Sequence, residues 1–137
     1  MSIKLRPATL ADAQDLLRWK NDPVMRDFSI VSSEIIKEED HLKWLKIHLK
    51  DILIITYNNE SCGDIRFDRN EVAIKLDPKF RGKGIGKKAL LKALKDKKDI
   101  IAKVVDGNVA SMRLFQSCGF KVIDHQIQNK GFYILKR

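Results

Sequence analysis

The 137-residue sequence lacks the features that mark secreted, membrane-spanning or repetitive proteins. Its two cysteines, Cys62 and Cys118, form neither a metal-ligand spacing nor a disulfide framework. Its apolar runs, such as residues 52–56, are far shorter than the ~20 residues that a membrane span needs. Residues 1–7 lack the apolar segment of a secretory signal. We therefore expect a cytoplasmic protein without a membrane partner, and a single domain over residues 1–137.

Acidic residues are in short supply, because 18 Asp and Glu stand against 27 Lys and Arg, which gives a formal net charge of +9. Such a surplus favours anionic partners, which include nucleic acid, an acidic membrane face and small polyanions. Charge alone does not choose among these three. Because the sequence contains no nucleic-acid-binding motif and no interleaving of aromatic with basic residues, we expect no nucleic-acid partner.

Hydrophobic periodicity predicts a mixed α/β sheet with the element order β-α-α-β-β-β-α-β-α-β-β. Turn and capping residues delimit the elements, and Arg69-Asn70 is a plausible two-residue hairpin loop. The predicted strands cover residues 2–7, 52–57, 62–68, 71–76, 99–105, 120–126 and 132–135. The predicted helices cover residues 9–20, 33 or 37 to 49, 84–95 and 108–119.

A glycine-rich segment, Arg81–Gly86, joins the fourth predicted strand to a helix. Glycines allow backbone N–H groups to approach an anion closely, and the first helical turn adds unpaired donors. The pattern R-x-x-G-x-G is neither the dinucleotide fingerprint nor a P-loop. It predicts a phosphate-binding loop, although a glycine-rich connection without a ligand is the simpler alternative. The glycines are Gly82, Gly84 and Gly86, and the basic residues beside them are Lys83, Lys87 and Lys88.

Three segments together resemble the GCN5-related N-acetyltransferases. They are Ile74–Pro78 with the R-x-x-G-x-G loop, the helix-opening segment Asn108–Phe115, and Cys118-Gly119-Phe120. The resemblance implies an α/β fold with a mixed, mostly antiparallel sheet of about seven strands and about four flanking helices. It also implies an acyltransferase that uses acetyl-CoA as donor and acts on the amine of a small molecule.

The resemblance further implies where acetyl-CoA binds. The pantetheine arm would lie beside a bulged fourth strand, Ile74–Leu76, and the N–H of Leu76 would stabilise the oxyanion. The pyrophosphate would contact the backbone amides of Arg81–Lys87, and Asn108 would contact the pantetheine. The implied cofactor-binding residues are Ile74, Leu76, Arg81, Gly82, Lys83, Gly84, Ile85, Gly86, Lys87, Asn108 and Phe115.

Acetylation of an amine needs a general base, and Glu71 at the start of the fourth strand resembles the catalytic glutamate of some family members. With the hairpin loop as predicted, Asp68 would face Glu71. A solvated hairpin tip with ordinary charges is the alternative reading. Phe115 occupies the position of the family's usual tyrosine acid and cannot donate a proton. The thiolate would then be protonated by water, by Tyr133 or Tyr57, or by the proton that leaves the amine.

The acceptor in this family is bound by the N-terminal third. Here the string Trp19–Arg26, with a later His41-x-x-Trp44, resembles the branch that acetylates nucleotide-activated deoxysugars, as in pseudaminic and legionaminic acid pathways. Trp19 or Trp44 would pack on a sugar or uracil face, and Arg26 with Arg66 would bind a diphosphate. Asn21 and His41 would form hydrogen bonds with hydroxyl groups. The predicted acceptor-binding residues are Trp19, Asn21, Arg26, His41 and Arg66.

Each of these readings has an alternative. Trp19 lies on an apolar helical stripe and is more often part of a core. His41 and His48 share a helical face, but without a third ligand at suitable spacing we expect no metal site. The competing functions are a peptide or protein N-terminal acetyltransferase and a catalytically weak acyl-CoA-binding module. An unpaired strand edge could also support a homodimer.

Overall fold

The computed structural model describes residues 2–30, 34–127 and 130–137, which form a seven-stranded sheet with helices on both faces. The strands are β1 (Ile3–Pro7), β2 (Ile52–Tyr57), β3 (Glu60–Asp68), β4 (Glu71–Leu76), β5 (Ile101–Val105), β6 (Lys121–Gln126) and β7 (Phe132–Lys136). The helices are α1 (Ala13–Lys20), α2 (Pro23–Asp27), α3 (Glu38–His48), α4 (Ile85–Leu94) and α5 (Val109–Ser117). The predicted α/β class and mostly antiparallel sheet are confirmed, and the short α2 is an addition.

The strand order is β1-β2-β3-β4-β5-β7-β6, and every neighbouring pair is antiparallel except β4–β5. The β3–β4 hairpin has the predicted two-residue loop, with Asp68 directly opposite Glu71. Arg69 adopts a φ of 56°, the positive value that tight hairpin loops require. This register places alternate residues of β4 on opposite faces of the sheet.

Helix α3 begins at Glu38, later than the earlier of the two predicted starts. Three acidic residues, Glu38–Asp40, occupy its first turn, where they interact favourably with the positive end of the helix dipole. Residues 31–33, at the earlier start, lie outside the described residues. None of the described helices has the length and apolar character needed to cross a membrane.

Two apolar clusters fix the helices on the sheet. On one face α4 and α5 bury a large cluster that includes Leu90, Leu94 and Phe115. On the other face α1 and α3 bury a smaller one that includes Trp19 and Leu45. Burying a large apolar side chain contributes roughly 1.5–3 kcal/mol, so both helical layers are held mainly by packing. The second face, covered by α1 and α3, also carries the polar side chains of β3 and β4 and is called the acceptor face below.

Candidate active site

Strands β4 and β5 are held together at one end and separate along the rest of their length. A single pair, Glu71 with Ile101, joins them, and the N–H of Ile101 donates to the carbonyl oxygen of Asn70 at 2.8 Å. β5 continues by pairing with β7 instead. The result is a V-shaped gap whose vertex is Glu71 and whose open end lies at Leu76, beside the glycine loop.

The backbone of β4 presents hydrogen-bonding groups to this gap. The N–H of Asp77 donates to the carbonyl oxygen of Cys62 on β3, at 2.8 Å. Because an antiparallel ladder alternates, the groups of Ala73 and Lys75 also face β3, whereas those of Ile74 and Leu76 face the gap. The β3–β4 register runs without a shift from Glu71 to Leu76. The prediction of a bulged fourth strand is therefore wrong, and it is the separation from β5 that leaves the N–H groups of Ile74 and Leu76 without a strand partner.

The glycine loop leads from β4 into the first turn of α4. Gly82 and Gly84 both adopt a φ of 77°, with no side chain or backbone within 4 Å of an added Cβ. Their conformation, rather than crowding, therefore requires glycine. Gly84 is the N-cap of the ten-residue α4, so the unpaired N–H groups of that helix point toward the open end of the gap. Lys83 and Lys87 are exposed beside it and add positive potential.

Two other loop positions have a structural role. Ile85 is 1% exposed and packs in the core, and Gly86 lets α4 approach β4, because an added Cβ would lie 3.3 Å from Leu76 Cδ1. The Arg81 guanidinium donates to Asp22 Oδ2 at 3.1 Å and to the carbonyl oxygen of Leu76 at 3.0 Å. Arg81 thus ties the loop to β4 and to Asp22, the N-cap of α2, a contact that the motif alone did not indicate.

The predicted residues that follow the loop in sequence lie at the start of α5, within α5 and on β7. Asn108 is the N-cap of this helix, and its side chain accepts from the N–H of Ser111 at 3.2 Å. Phe115 is 3% exposed and packs edge-on against Phe120, with ring centroids 5.1 Å apart. Tyr133, a candidate proton donor, stacks on His125 at 4.0 Å. Phe115 therefore contributes apolar packing at this position.

Glu71 has a basic partner that the sequence analysis missed. Lys103 of β5 forms an ion pair with the Glu71 carboxylate at 3.1 Å, and both side chains are about one-third exposed. The pair bridges the vertex of the gap and holds the carboxylate over it. Arg66 lies diagonal to Glu71 on the same face, and its guanidinium approaches Asp68 at 3.8 Å and lies over the Trp44 ring at 4.8 Å. Lys103 could not be identified from sequence, because the β4–β5 pairing is made by residues 30 positions apart.

Two predicted acceptor-binding residues have their polar groups occupied by the protein. Trp19 is 1% exposed, and its Nε1 donates to Asp77 at 3.1 Å. Its ring has no exposed face for a sugar, so the core interpretation is the correct one. Asn21 donates to the carbonyl oxygen of Ile36 and accepts from the N–H of the same residue. Asn21 thereby orients the chain ahead of α3, which is a structural role rather than the predicted contact with hydroxyls.

The other predicted acceptor-binding residues lie nearby. Arg26 on α2 donates from Nε to the carbonyl oxygen of Asn21 at 3.1 Å. His41 is 1% exposed, and its Nε2 lies 3.1 Å from the carbonyl oxygen of Ala13. Burial lowers the pKa of His41, and the positive charge of Lys20 lowers it further, so the ring is neutral at pH 7.

His41 and Arg66 belong to a polar cluster on the acceptor face, which we define as Lys20, His41, Trp44, Asp64, Arg66 and Lys75. Lys20 Nζ lies 3.0 Å from the centroid of the Trp44 ring. Lys75 pairs with the buried Asp64 at 3.4 Å. Burial, together with the charge of Lys75, lowers the pKa of Lys20 to about 7. Sequence reasoning noted the string that contains Lys20 but gave this residue no role.

The fold occurs in several solved acetyltransferases. The yncA protein of Salmonella typhimurium, described as a putative acetyltransferase with its cofactor acetyl-CoA, has a TM-score of 0.82 and 21% identity, over 100% of this chain and 94% of that one. Spermidine N-acetyltransferase of Vibrio cholerae, solved with CoA and spermine, has a TM-score of 0.87 and 14% identity, over 98% and 94% of the two chains. At these identities the likeness shows the fold.

Sequence comparison finds a longer relative and a family. Uncharacterized protein MJ1062 of Methanocaldococcus jannaschii is 26% identical over 147 residues, which cover 96% of this chain and 30% of that protein. The chain thus spans less than a third of the length of this relative. Residues 2–121 match the model described as an acetyltransferase (GNAT) domain. This match covers most of the sequence, so the chain belongs to the GNAT acetyltransferase family, as predicted, and is an acyltransferase domain.

Proposed function

We propose that this domain transfers the acetyl group of acetyl-CoA to the amine of a small acceptor, and that this acceptor is a nucleotide-linked amino-deoxysugar. The gap between β4 and β5, which opens at the glycine loop, is the observation that carries the transfer. It combines a helix N-terminus for a diphosphate with the N–H groups of Ile74 and Leu76, which face the gap, for an extended arm. Acetyl-CoA, the cofactor of the Salmonella protein, has both parts.

The arm runs from the loop toward the vertex, so the thioester lies beyond Leu76. The five residue steps from Leu76 to Glu71 cover about 17 Å, too far for one reacting group to touch both. Ile74 is about 10 Å from Glu71 and also faces the gap. We therefore assign the oxyanion contact to the N–H of Ile74, and a pantetheine contact to the N–H of Leu76, in place of the role predicted for Leu76.

In the reaction, the amine nitrogen attacks the thioester carbonyl carbon while the N–H of Ile74 stabilises the developing oxyanion. The amine proton passes to the Glu71 carboxylate through one water, since the separation along β4 exceeds a direct hydrogen bond. The C–S bond then breaks, and CoA leaves as a thiolate that takes up a proton. Phe115 has no proton to give, so water or the proton released by the amine supplies it.

The charge of the acceptor face supports an acceptor that carries a negative group. Lys20, Arg66 and Lys75 lie on this face, against the buried carboxylate of Asp64. A polyamine such as the spermine in the Vibrio structure would be repelled there, whereas a nucleotide diphosphate would be attracted. The Trp44 ring is partly exposed, and Lys20 and Arg66 both lie over it.

Release of CoA thiol from acetyl-CoA tests the proposal. We expect release with a UDP-linked 4-amino-deoxysugar, and at most slow release with spermine or with a peptide N-terminus. Release with peptides alone would replace the sugar assignment by the peptide N-terminal acetyltransferase. If no amine triggers release although CoA raises the melting temperature, the proposed catalysis is wrong and a binding module is the better description.

A further inference from the structure

The polar cluster on the acceptor face holds a surplus of positive charge on half-buried side chains. Lys20, Arg66 and Lys75 surround a single buried carboxylate, that of Asp64, which is 2% exposed. Asp64 pairs with Lys75 at 3.4 Å, a loose contact for an ion pair, and within the described part of the chain Lys20 pairs with no carboxylate. Buried charges are normally compensated, because an unpaired charge away from water is costly.

Three polar atoms of the cluster are buried and have no hydrogen-bond partner among the described residues. They are His41 Nδ1, Asp64 Oδ2 and Arg66 Nε. Fewer than one in ten buried polar groups are left without a partner in folded proteins. Two of the three, Asp64 Oδ2 and the Nδ1 of neutral His41, are acceptors that need a donor such as water or a ligand hydroxyl, so only Arg66 Nε bears on an anion. Arg66 Nε can only donate, so its missing partner is an acceptor atom such as an anionic oxygen.

The cluster adjoins the place where the acyl group is transferred. Ala73 and Lys75 project from β4 onto the acceptor face, on either side of Ile74, whose N–H faces the gap. Arg66 lies opposite Ala73, and Asp64 lies opposite Lys75. Ala73 is exposed, so solvent reaches the face at this point. A molecule seated here would be within a few ångströms of the thioester bound at Ile74.

We propose that Lys20, Arg66 and Lys75 bind an oxyanion of the acceptor, a carboxylate or a phosphate. The identification of the ligand as the acceptor rests on the proposed function. The existence of an anion site rests on the cluster itself. Such a site would orient the acceptor so that its amine points toward β4, and it would select against acceptors without an acidic group.

Binding of an anion should also add a proton to Lys20, because of the charges around this residue. Among the described residues, the charged or titratable groups in or next to the cluster are Lys20 of α1, His41 and His48 of α3, Asp64, Arg66 and Asp68 of β3, Glu71 and Lys75 of β4, and Lys103 of β5. With His41 neutral, the cluster itself carries a net charge of +2 when Lys20 is protonated and +1 when Lys20 is neutral. At pH 8, one unit above its pKa of about 7, Lys20 is mostly neutral. A bound anion adds a negative charge beside Lys20, which favours the protonated amine and raises its pKa.

The titration of Lys20 can be observed directly. In protein carrying ¹³C-labelled lysine and saturated with CoA, so that the glycine loop is filled, the Lys20 Cε signal reports the protonation of its amine. We expect a midpoint near pH 7 in chloride, and a midpoint at least one unit higher when inorganic phosphate or acetate occupies the site. A shift with phosphate but not acetate identifies a phosphate-bearing acceptor, and the reverse identifies a carboxylate.

Variants distinguish anion binding at this cluster from a general effect of the protein's positive charge. Lys20→Arg assigns the signal while it keeps the positive charge, and Lys20→Met confirms the assignment where the variant folds. Arg66→Gln should reduce the anion-induced shift at least by half, whereas Lys46→Gln, which removes an exposed charge on α3, should leave it unchanged. Equal Lys20 midpoints in chloride, phosphate and acetate would overturn the anion site. No turnover is needed, so this result is independent of the thiol-release assay.

Discussion

The two sides of the active site are built from different groups: backbone on the donor side and side chains on the acceptor face. The donor side consists of backbone groups: the N–H groups of Ile74 and Leu76 in the gap, and the glycine loop at the start of α4. The acceptor face consists of side chains that α1, α3, β3 and β4 bring together, with Asp64 buried and Lys20 half-buried among them. A backbone site binds the same donor whatever the neighbouring side chains are. A side-chain cluster can be changed residue by residue, so it is the part that sets the acceptor.

The largest expected effect concerns the chemistry between the two sides. Glu71→Gln keeps the shape of the side chain but removes the base, so kcat should fall about 100-fold or more. The dissociation constant of CoA should not change, because Glu71 lies at the vertex, away from the glycine loop. Steady-state kinetics with calorimetry of CoA binding measures both quantities.

Asp68→Asn is the matched control for this change. Asp68 lies directly opposite Glu71 and is exposed, with 66% of its side chain accessible, so its replacement should alter kcat less than threefold, roughly the scale of surface substitutions. If Glu71→Gln retains the wild-type rate at every pH tested, Glu71 is not the base. The proton acceptor would then lie among the side chains of the acceptor face.

A second prediction tests whether the donor side depends on backbone conformation. Gly84 has a φ of 77°, and a β-branched residue there costs about 1–2 kcal/mol or more, so Gly84→Val should weaken CoA binding about tenfold or more. Lys83→Ala removes one exposed charge and should weaken it only a few-fold. Thermal melting confirms that both variants fold. A greater loss for Lys83→Ala than for Gly84→Val would mean that side chains, not backbone groups, hold the donor.

The smallest effect appears in stability and belongs to the acceptor face. The pKa of Lys20 is lowered to about 7 in the folded protein, so the unfolded chain binds more protons between about pH 7 and pH 10. The free energy of unfolding should therefore rise as the pH rises through this window. Lys20→Met should raise the melting temperature by several degrees at pH 6, and this advantage should shrink toward pH 9. A difference in melting temperature that does not change with pH would show that folding does not disfavour the protonated form of Lys20.

The difference between the two sides also explains what the sequence could predict. The glycine loop, the strand before it and Asn108 form a local pattern, because a helix N-terminus beside a strand is specified by neighbouring residues. The fold and family followed from it and are confirmed. The prediction of a bulge in β4 was wrong. The N–H groups of Ile74 and Leu76 lack a strand partner because β5 diverges from β4, and this divergence depends on contacts between distant parts of the chain.

The acceptor face was less predictable for the same reason. Trp19 and Asn21 belong to a recognisable string, yet one is in the core and the other bonds Ile36. Lys20, in the same string, faces Asp64 and Lys75 of the sheet, which only the packing of α1 on β3 and β4 brings close. A half-buried lysine beside two other cations has no local signature, since lysine is usually exposed.

The central claim is that acetyl-CoA binds in the gap, on the free backbone groups of β4. Amide hydrogen exchange, resolved by residue, tests it most directly. We predict that acetyl-CoA slows exchange at Ile74 and Leu76 at least tenfold, while Ala73 and Lys75, which already face β3, change little. Unchanged exchange at Ile74 and Leu76 in protein that is saturated with acetyl-CoA would contradict the account.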